Sequence, residues 1–63
     1  MFDKVKEIRL KNNLTQEELA IKANISRATI VKIESGDAVE VKISTLQAIA
    51  KALDCPVSAF FMQ

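Results

Sequence analysis

The chain has no histidine and no tyrosine, and only one glycine, one proline and one cysteine. Each shortage removes a class of chemistry. Without histidine no zinc-ligand set can form around Cys55, and a single cysteine excludes an internal disulfide. Gly36 stands alone, so there is no glycine-rich phosphate loop, and no carboxylate pair comes with a pocket to work in. These residues argue against an enzyme. No apolar run is long enough for a membrane span and no signal-peptide pattern occurs. A cytosolic protein is expected, with no cofactor, metal, membrane or small-molecule ligand implied.

What remains is the composition of a globular chain, 49% hydrophobic and 27% charged over 63 residues, without repeats or low-complexity segments. That length allows one small domain, residues 1–63, whose core is marginal on its own. With metal and disulfide excluded, self-association is the remaining support.

The net charge of +1 does not by itself point to a polyanion partner. Sorted by position, however, the charges separate. The acids are Asp3, Glu7, Glu17, Glu18, Glu34, Asp37, Glu40 and Asp54, whereas the stretch from Leu19 through Ile33 carries only Lys22, Arg27 and Lys32. A cationic segment lies in the middle of a nearly neutral chain.

That segment has a definite local architecture. Leu19, Ala20 and Ala23 mark the apolar side of one helix, and Ile30 and Ile33 that of a second. Thr15 followed by Glu18 is a capping box, so the first of these helices starts at Thr15, with Leu14 and Leu19 spaced as a hydrophobic staple. Ser26 caps the second, again with a staple spacing from Ile25 to Ile30. Between them Asn24 must turn the backbone, and asparagine accepts a positive φ more readily than most residues. Two helices joined across a tight turn form a helix-turn-helix over residues 15–34. Opposite Ile30 and Ile33, at about 100° per residue, lie Arg27, Ala28, Val31 and Lys32. Long cations beside methyl groups suit a DNA major groove, where they meet guanine acceptors and thymine methyls. The same face also fits an ordinary solvated helix.

Around this unit the chain reads as further helix. A first helix runs from Asp3 or Lys4 to about Asn12, with Phe2, Val5 and Ile8 on its buried stripe and Asn13 as a left-handed end. Arg9 lies beside that stripe, an unusual place for a cation. Gly36 is the expected left-handed residue closing the helix before it, and Val39, Glu40 and Val41 alternate as a short extended piece would. A fourth helix, Ile43 to Leu53, shows a core stripe at Leu46, Ile49, Ala50 and Leu53. Pro56 is placed to open a last helix over 56–61, and Cys55 before it reads as a small buried apolar group. Val57, Phe60, Phe61 and Met62 exceed what so short a helix buries. They either complete the core or, joined by Leu10, meet a second copy through a two-fold contact.

In combination these pieces resemble the Cro and repressor-type helix-turn-helix domains of phage and bacterial transcription regulators. The resemblance rests on Ile8-Arg9, Leu14 through Ala20, Asn24-Ile25-Ser26-Arg27, Ile30, Ile33-Glu34-Ser35-Gly36, Thr45-Leu46 and Ile49 through Leu53. It implies an all-α, five-helix, lambda-repressor-like domain that binds operator DNA as a homodimer. It also implies an ion pair between Arg9 and Glu34. Base contacts are then expected from Arg27, Ala28, Val31 and Lys32, and phosphate contacts from Gln16, Ser26, Thr29, Ser35 and Lys42. Gln16 suits that role independently, since a polar side chain in the first turn of a helix sits beside free N–H groups and the positive dipole end. The chain departs from the family pattern at 37–42, about one residue longer than usual and without the proline often found there. A transcriptional repressor or controller on an inverted repeat is expected, as in a prophage, plasmid or restriction-modification switch. The alternative is an antitoxin-like or adaptor protein with a protein partner at its C-terminal helix.

Overall fold

Three of the helices stop in the same way. The computed structural model describes residues 3–36 and 41–61, and its α-helices are α1 (Asp3–Lys11), α2 (Gln16–Ala23), α3 (Arg27–Ser35) and α4 (Ile43–Ala52). Beyond α1, α2 and α4 a polar residue takes a left-handed conformation, Asn13 at φ 58°, Asn24 at φ 58° and Asp54 at φ 55°. The N–H of the next residue then donates to the carbonyl five positions back: Leu14 to Arg9 at 3.2 Å, Ile25 to Ala20 at 3.0 Å and Cys55 to Ala50 at 3.0 Å. This double-bonded ending satisfies carbonyls that a helix otherwise leaves open, and its apolar follower folds back onto the helix. Leu14, Ile25 and Cys55 all pack against the core. α3 closes instead with Gly36 at φ 83°.

The helix starts follow equally local chemistry. Thr15 and Glu18 form both bonds of the capping box, Glu18 N–H to Thr15 Oγ1 at 3.0 Å and Thr15 N–H to Glu18 Oε1 at 2.8 Å. The bond from the Thr15 backbone N–H, and after it the Thr15 side chain, stabilise the Glu18 carboxylate and hold its pKa below the ordinary value. Ser26 caps α3 by accepting from Thr29 N–H at 3.2 Å. Asn24 and Ser26 thus define the turn between α2 and α3.

α2 packs on α3 and α4, while α1 packs on α3 and on the C-terminal turn. The core they enclose includes Val5, Leu19, Ile30, Ile33, Leu46, Ile49, Leu53 and Phe60, each no more than 2% exposed. Nearly every one comes from the stripes that helical spacing defines. Three element boundaries differ from expectation by one residue: α1 ends at Lys11, α2 begins at Gln16 behind its Thr15 cap, and α4 ends at Ala52. The expected fifth helix is a four-residue 3-10 turn, Val57–Phe60, with Pro56 as its extended cap and not its first member. Pro56 is extended at φ -74° and ψ 153°, so winding begins only at Val57. Phe2, Met62 and the alternating piece at 39–40 lie outside the described residues.

Candidate nucleic-acid interface

The cap at Ser26 fixes where α3 begins, and Ile30 at 0% and Ile33 at 1% exposure fix which way it faces. With those two isoleucines inward, Arg27, Ala28, Val31 and Lys32 are all exposed together. The four base-contact candidates therefore share one surface. Thr29 is half-buried beside them, and its hydroxyl lies 2.8 Å from that of Ser26. Ser35 is exposed and donates its hydroxyl to the carbonyl of Lys32 at 3.1 Å.

The one acid of α3 is turned away from this surface. The Glu34 side chain is only 3% exposed, although the residue as a whole is half-buried, and its carboxylate accepts from Arg9 Nε at 2.7 Å and Arg9 Nη2 at 3.0 Å. A third donor, Gln16 Nε2, reaches Glu34 Oε1 at 3.1 Å. Arg9 is itself only 6% exposed and uses Nη1 to donate to the carbonyl of Leu14 at 2.7 Å. The expected pairing of Arg9 with Glu34 is therefore present, and it extends to α2 through Gln16. No feature of the sequence pointed to the Gln16 contact, because it depends on how α2 settles on α3.

Gln16 retains a second amide hydrogen and a carbonyl oxygen beyond its bond to Glu34. Together with Arg9, Thr15, Glu17 and Arg27 it lines an open recess of about 360 Å³ between the starts of α2 and α3. Two arginines and the N-terminal end of α2 line this recess, together with the acidic Glu17. Lys42, the remaining phosphate candidate, is exposed and precedes α4, where its side chain makes no capping bond.

The residues expected to meet a second copy divide. Phe60 is 1% exposed and belongs to the core of the single chain, which corrects its assignment to an intermolecular face. Val57 is half-buried, Phe61 is 58% exposed, and Leu10 on the neighbouring α1 is 55% exposed. Cys55 is half-buried, and desolvation, with a smaller contribution from the Asp54 charge, pushes its thiol above the ordinary pKa. Among the described residues no group of three or more His, Cys, Asp or Glu side chains converges as a metal site, and no helix is long and apolar enough to cross a membrane.

A family model described as helix-turn-helix matches residues 5–60. The chain is 46% identical over 56 residues to the immunity repressor protein of Bacillus phage phi105, covering 89% of this chain and 38% of that protein. It is also 53% identical over 36 residues to an uncharacterised HTH-type transcriptional regulator of Methanocaldococcus jannaschii, covering 57% of this chain and 54% of that one. The chain thus spans between about a third and a half of the length of these relatives. The matched region contains α2, the Asn24 turn and α3, and with them the four exposed side chains opposite Ile30 and Ile33. The chain belongs to the helix-turn-helix family of the Cro and repressor type.

Proposed function

We propose that this chain is a sequence-specific DNA-binding regulator of transcription that acts in the cytosol. α3 lies in the major groove, and two copies occupy the halves of an inverted repeat. The observation that carries this is the sorting of charge on α3. Arg27 and Lys32 are exposed with Ala28 and Val31, whereas Glu34 is folded inward onto Arg9 and Gln16. An almost neutral protein needs such sorting to approach a polyanion.

In this arrangement Arg27, Ala28, Val31 and Lys32 face base edges. Gln16, Ser26, Thr29, Ser35 and Lys42 fix register on phosphates, the recess beside Gln16 and Arg27 receiving one of them. Leu10, Val57 and Phe61 supply the contact between copies, so that two α3 helices lie about 34 to 36 Å apart in successive major grooves. Regulation follows from occupancy of a promoter, as the relationship to a phage immunity repressor suggests.

Selection of binding sites from random duplex DNA tests this, run in parallel with Arg27→Ala and Lys32→Ala. The expected product is an inverted repeat that each variant relaxes at particular base pairs. Absence of any enriched sequence at low salt rejects the proposal. The exposed Leu10 and Phe61 also support a second role, in which the C-terminal surface grips a different protein while the domain still binds DNA. A heterologous protein that co-purifies with the wild-type chain and is lost with Phe61→Glu distinguishes it.

A further inference from the structure

The exposed face of α3 is chemically one-sided. Arginine and lysine side chains donate hydrogen bonds and accept none, and Ala28 and Val31 offer only methyl groups. The oxygen-bearing side chains of α3 and of its cap are engaged within the chain. Glu34 takes three N–H bonds, two from Arg9 and one from Gln16. Ser26 Oγ accepts from Thr29 N–H and lies 2.8 Å from the half-buried Thr29 hydroxyl, and Ser35 is turned onto the carbonyl of Lys32. Among the described residues of α3, the exposed face presents donors and methyls without a free carboxylate or carboxamide, while the Gln16 carbonyl oxygen and the Glu17 carboxylate stand on α2, beside Arg27 at the recess assigned to a phosphate.

The major-groove edges of the bases respond to that asymmetry. Guanine offers two acceptors, and thymine an acceptor beside a methyl. Adenine and cytosine present amino groups that need an acceptor on the protein. We infer that each base pair under α3 is read from its guanine or its thymine, and that the amino groups of adenine and cytosine are left unread. This rests on the proposed insertion of α3 in the major groove and names the base chemistry that the insertion selects. Arg27 and Lys32 stand about 7.5 Å apart along the helix axis with Ala28 and Val31 between them, so donors and methyls bear on the same short run of base pairs.

The test uses the selected site, synthesised with one altered base at a time and titrated with the 63-residue chain by fluorescence anisotropy. Replacing guanine with 7-deazaguanine removes the N7 acceptor, and a contacted guanine is expected to lose at least about 5-fold in affinity. Replacing thymine with uracil removes one methyl, with an expected loss of about 4-fold at a contacted position. Replacing adenine with 2-aminopurine removes the 6-amino group from the major groove while keeping the pair with thymine, and no loss is expected. The guanine penalty should vanish at one position in Arg27→Ala, and the uracil penalty should shrink in Val31→Ala. Both residues are exposed, so these variants leave the fold intact. Indifference to 7-deazaguanine or to uracil at every position overturns the inference alone, as does a loss with 2-aminopurine under the helix. If no sequence is enriched in the first place, the insertion of α3 fails, and this inference with it.

Discussion

Arg9 of α1 grips Glu34 of α3 through two parallel bonds, Nε to Oε2 at 2.7 Å and Nη2 to Oε1 at 3.0 Å, with side chains 8% and 3% exposed. The same carboxylate holds Gln16 at the start of α2, and the same guanidinium holds the carbonyl of Leu14. One ion pair therefore links α1, α2 and α3 at the point where α3 leaves the core. A bidentate guanidinium–carboxylate fork fixes angle as well as distance, which suits a joint that must hold one helix at a set tilt.

Removing one partner of such a pair costs more than the pair contributes, because the other charge is stranded out of water. Glu34→Ala leaves the Arg9 guanidinium buried with only the Leu14 carbonyl, and an expected loss of about 3 kcal/mol follows. Glu17→Ala, at an exposed position on α2, should change stability by no more than about 0.5 kcal/mol. Urea unfolding followed by circular dichroism compares them. Equal effects would mean that the fork does not brace the domain.

The capping box at α2 makes a prediction with a pH signature. Glu18 has its pKa lowered in the folded chain by the bonds to Thr15, so its contribution to stability is fully present above the ordinary value of 4.5 and is lost as pH falls through the lowered one. Thermal unfolding of Glu18→Gln should therefore lie below wild type at neutral pH, and the two should converge at pH values under 4.5. Thr15→Ala, which removes the other half of the box, is expected to cost about 1 kcal/mol at neutral pH. A constant gap between wild type and Glu18→Gln down to pH 3 would dissociate the carboxylate from the cap.

What was legible in the sequence was whatever nearby residues determine. Thr15 with Glu18, Asn24 and Ser26 specify their caps and turn within a few positions, and Ile30 with Ile33 orient α3 so that its exposed face follows by helical spacing. The buried neighbour of an exposed residue was harder. Phe60 and Phe61 are adjacent, and in a four-residue 3-10 turn no periodicity extends far enough to say which one enters the core. Asp54-Cys55 repeats the polar-then-apolar order of Asn13-Leu14 and Asn24-Ile25, and all three make the same bonds, but aspartate is a weaker signal of a left-handed helix end than asparagine. The Gln16–Glu34 bond spans 18 positions and had no local signal at all.

Lys42 should affect DNA affinity without affecting sequence preference. It is exposed at the start of α4 and engaged in no capping bond, the placement of a phosphate contact and not of a base reader. Lys42→Gln is expected to weaken every duplex by a similar factor. It should also reduce the slope of log affinity against log salt by about 0.9, the value for one phosphate contact on duplex DNA. An unchanged slope removes Lys42 from the phosphate contacts.

Cys55 should be a slow thiol. Burial, helped by Asp54, raises its pKa above the ordinary 9.0, and alkylation requires the thiolate. The rate of reaction with iodoacetamide should be below that of a free cysteine at pH 8 and should rise with a midpoint above 9.0. Faster reaction than the free amino acid would contradict the packing of Cys55 behind the end of α4.

The adjacent phenylalanines separate folding from association. Phe60 fills the single-chain core, so Phe60→Ala should cost about 3 to 5 kcal/mol wherever the equilibrium between one and two copies lies. Phe61 and Leu10 are more than half exposed on α1 and the turn that packs against it, the surface proposed to meet a second copy. If they form that contact, association is linked to folding, and the melting temperature of the wild-type chain rises with protein concentration. Phe61→Glu places a charge in the contact and should give a monomer by analytical ultracentrifugation, with a melting temperature independent of concentration and a retained helical spectrum. Its affinity for a single half-site should be preserved while affinity for the full inverted repeat falls, because each copy then binds without help from the other. A Phe61→Glu protein that still sediments as a dimer would move the interface away from this surface and leave these exposed apolar groups to a different partner.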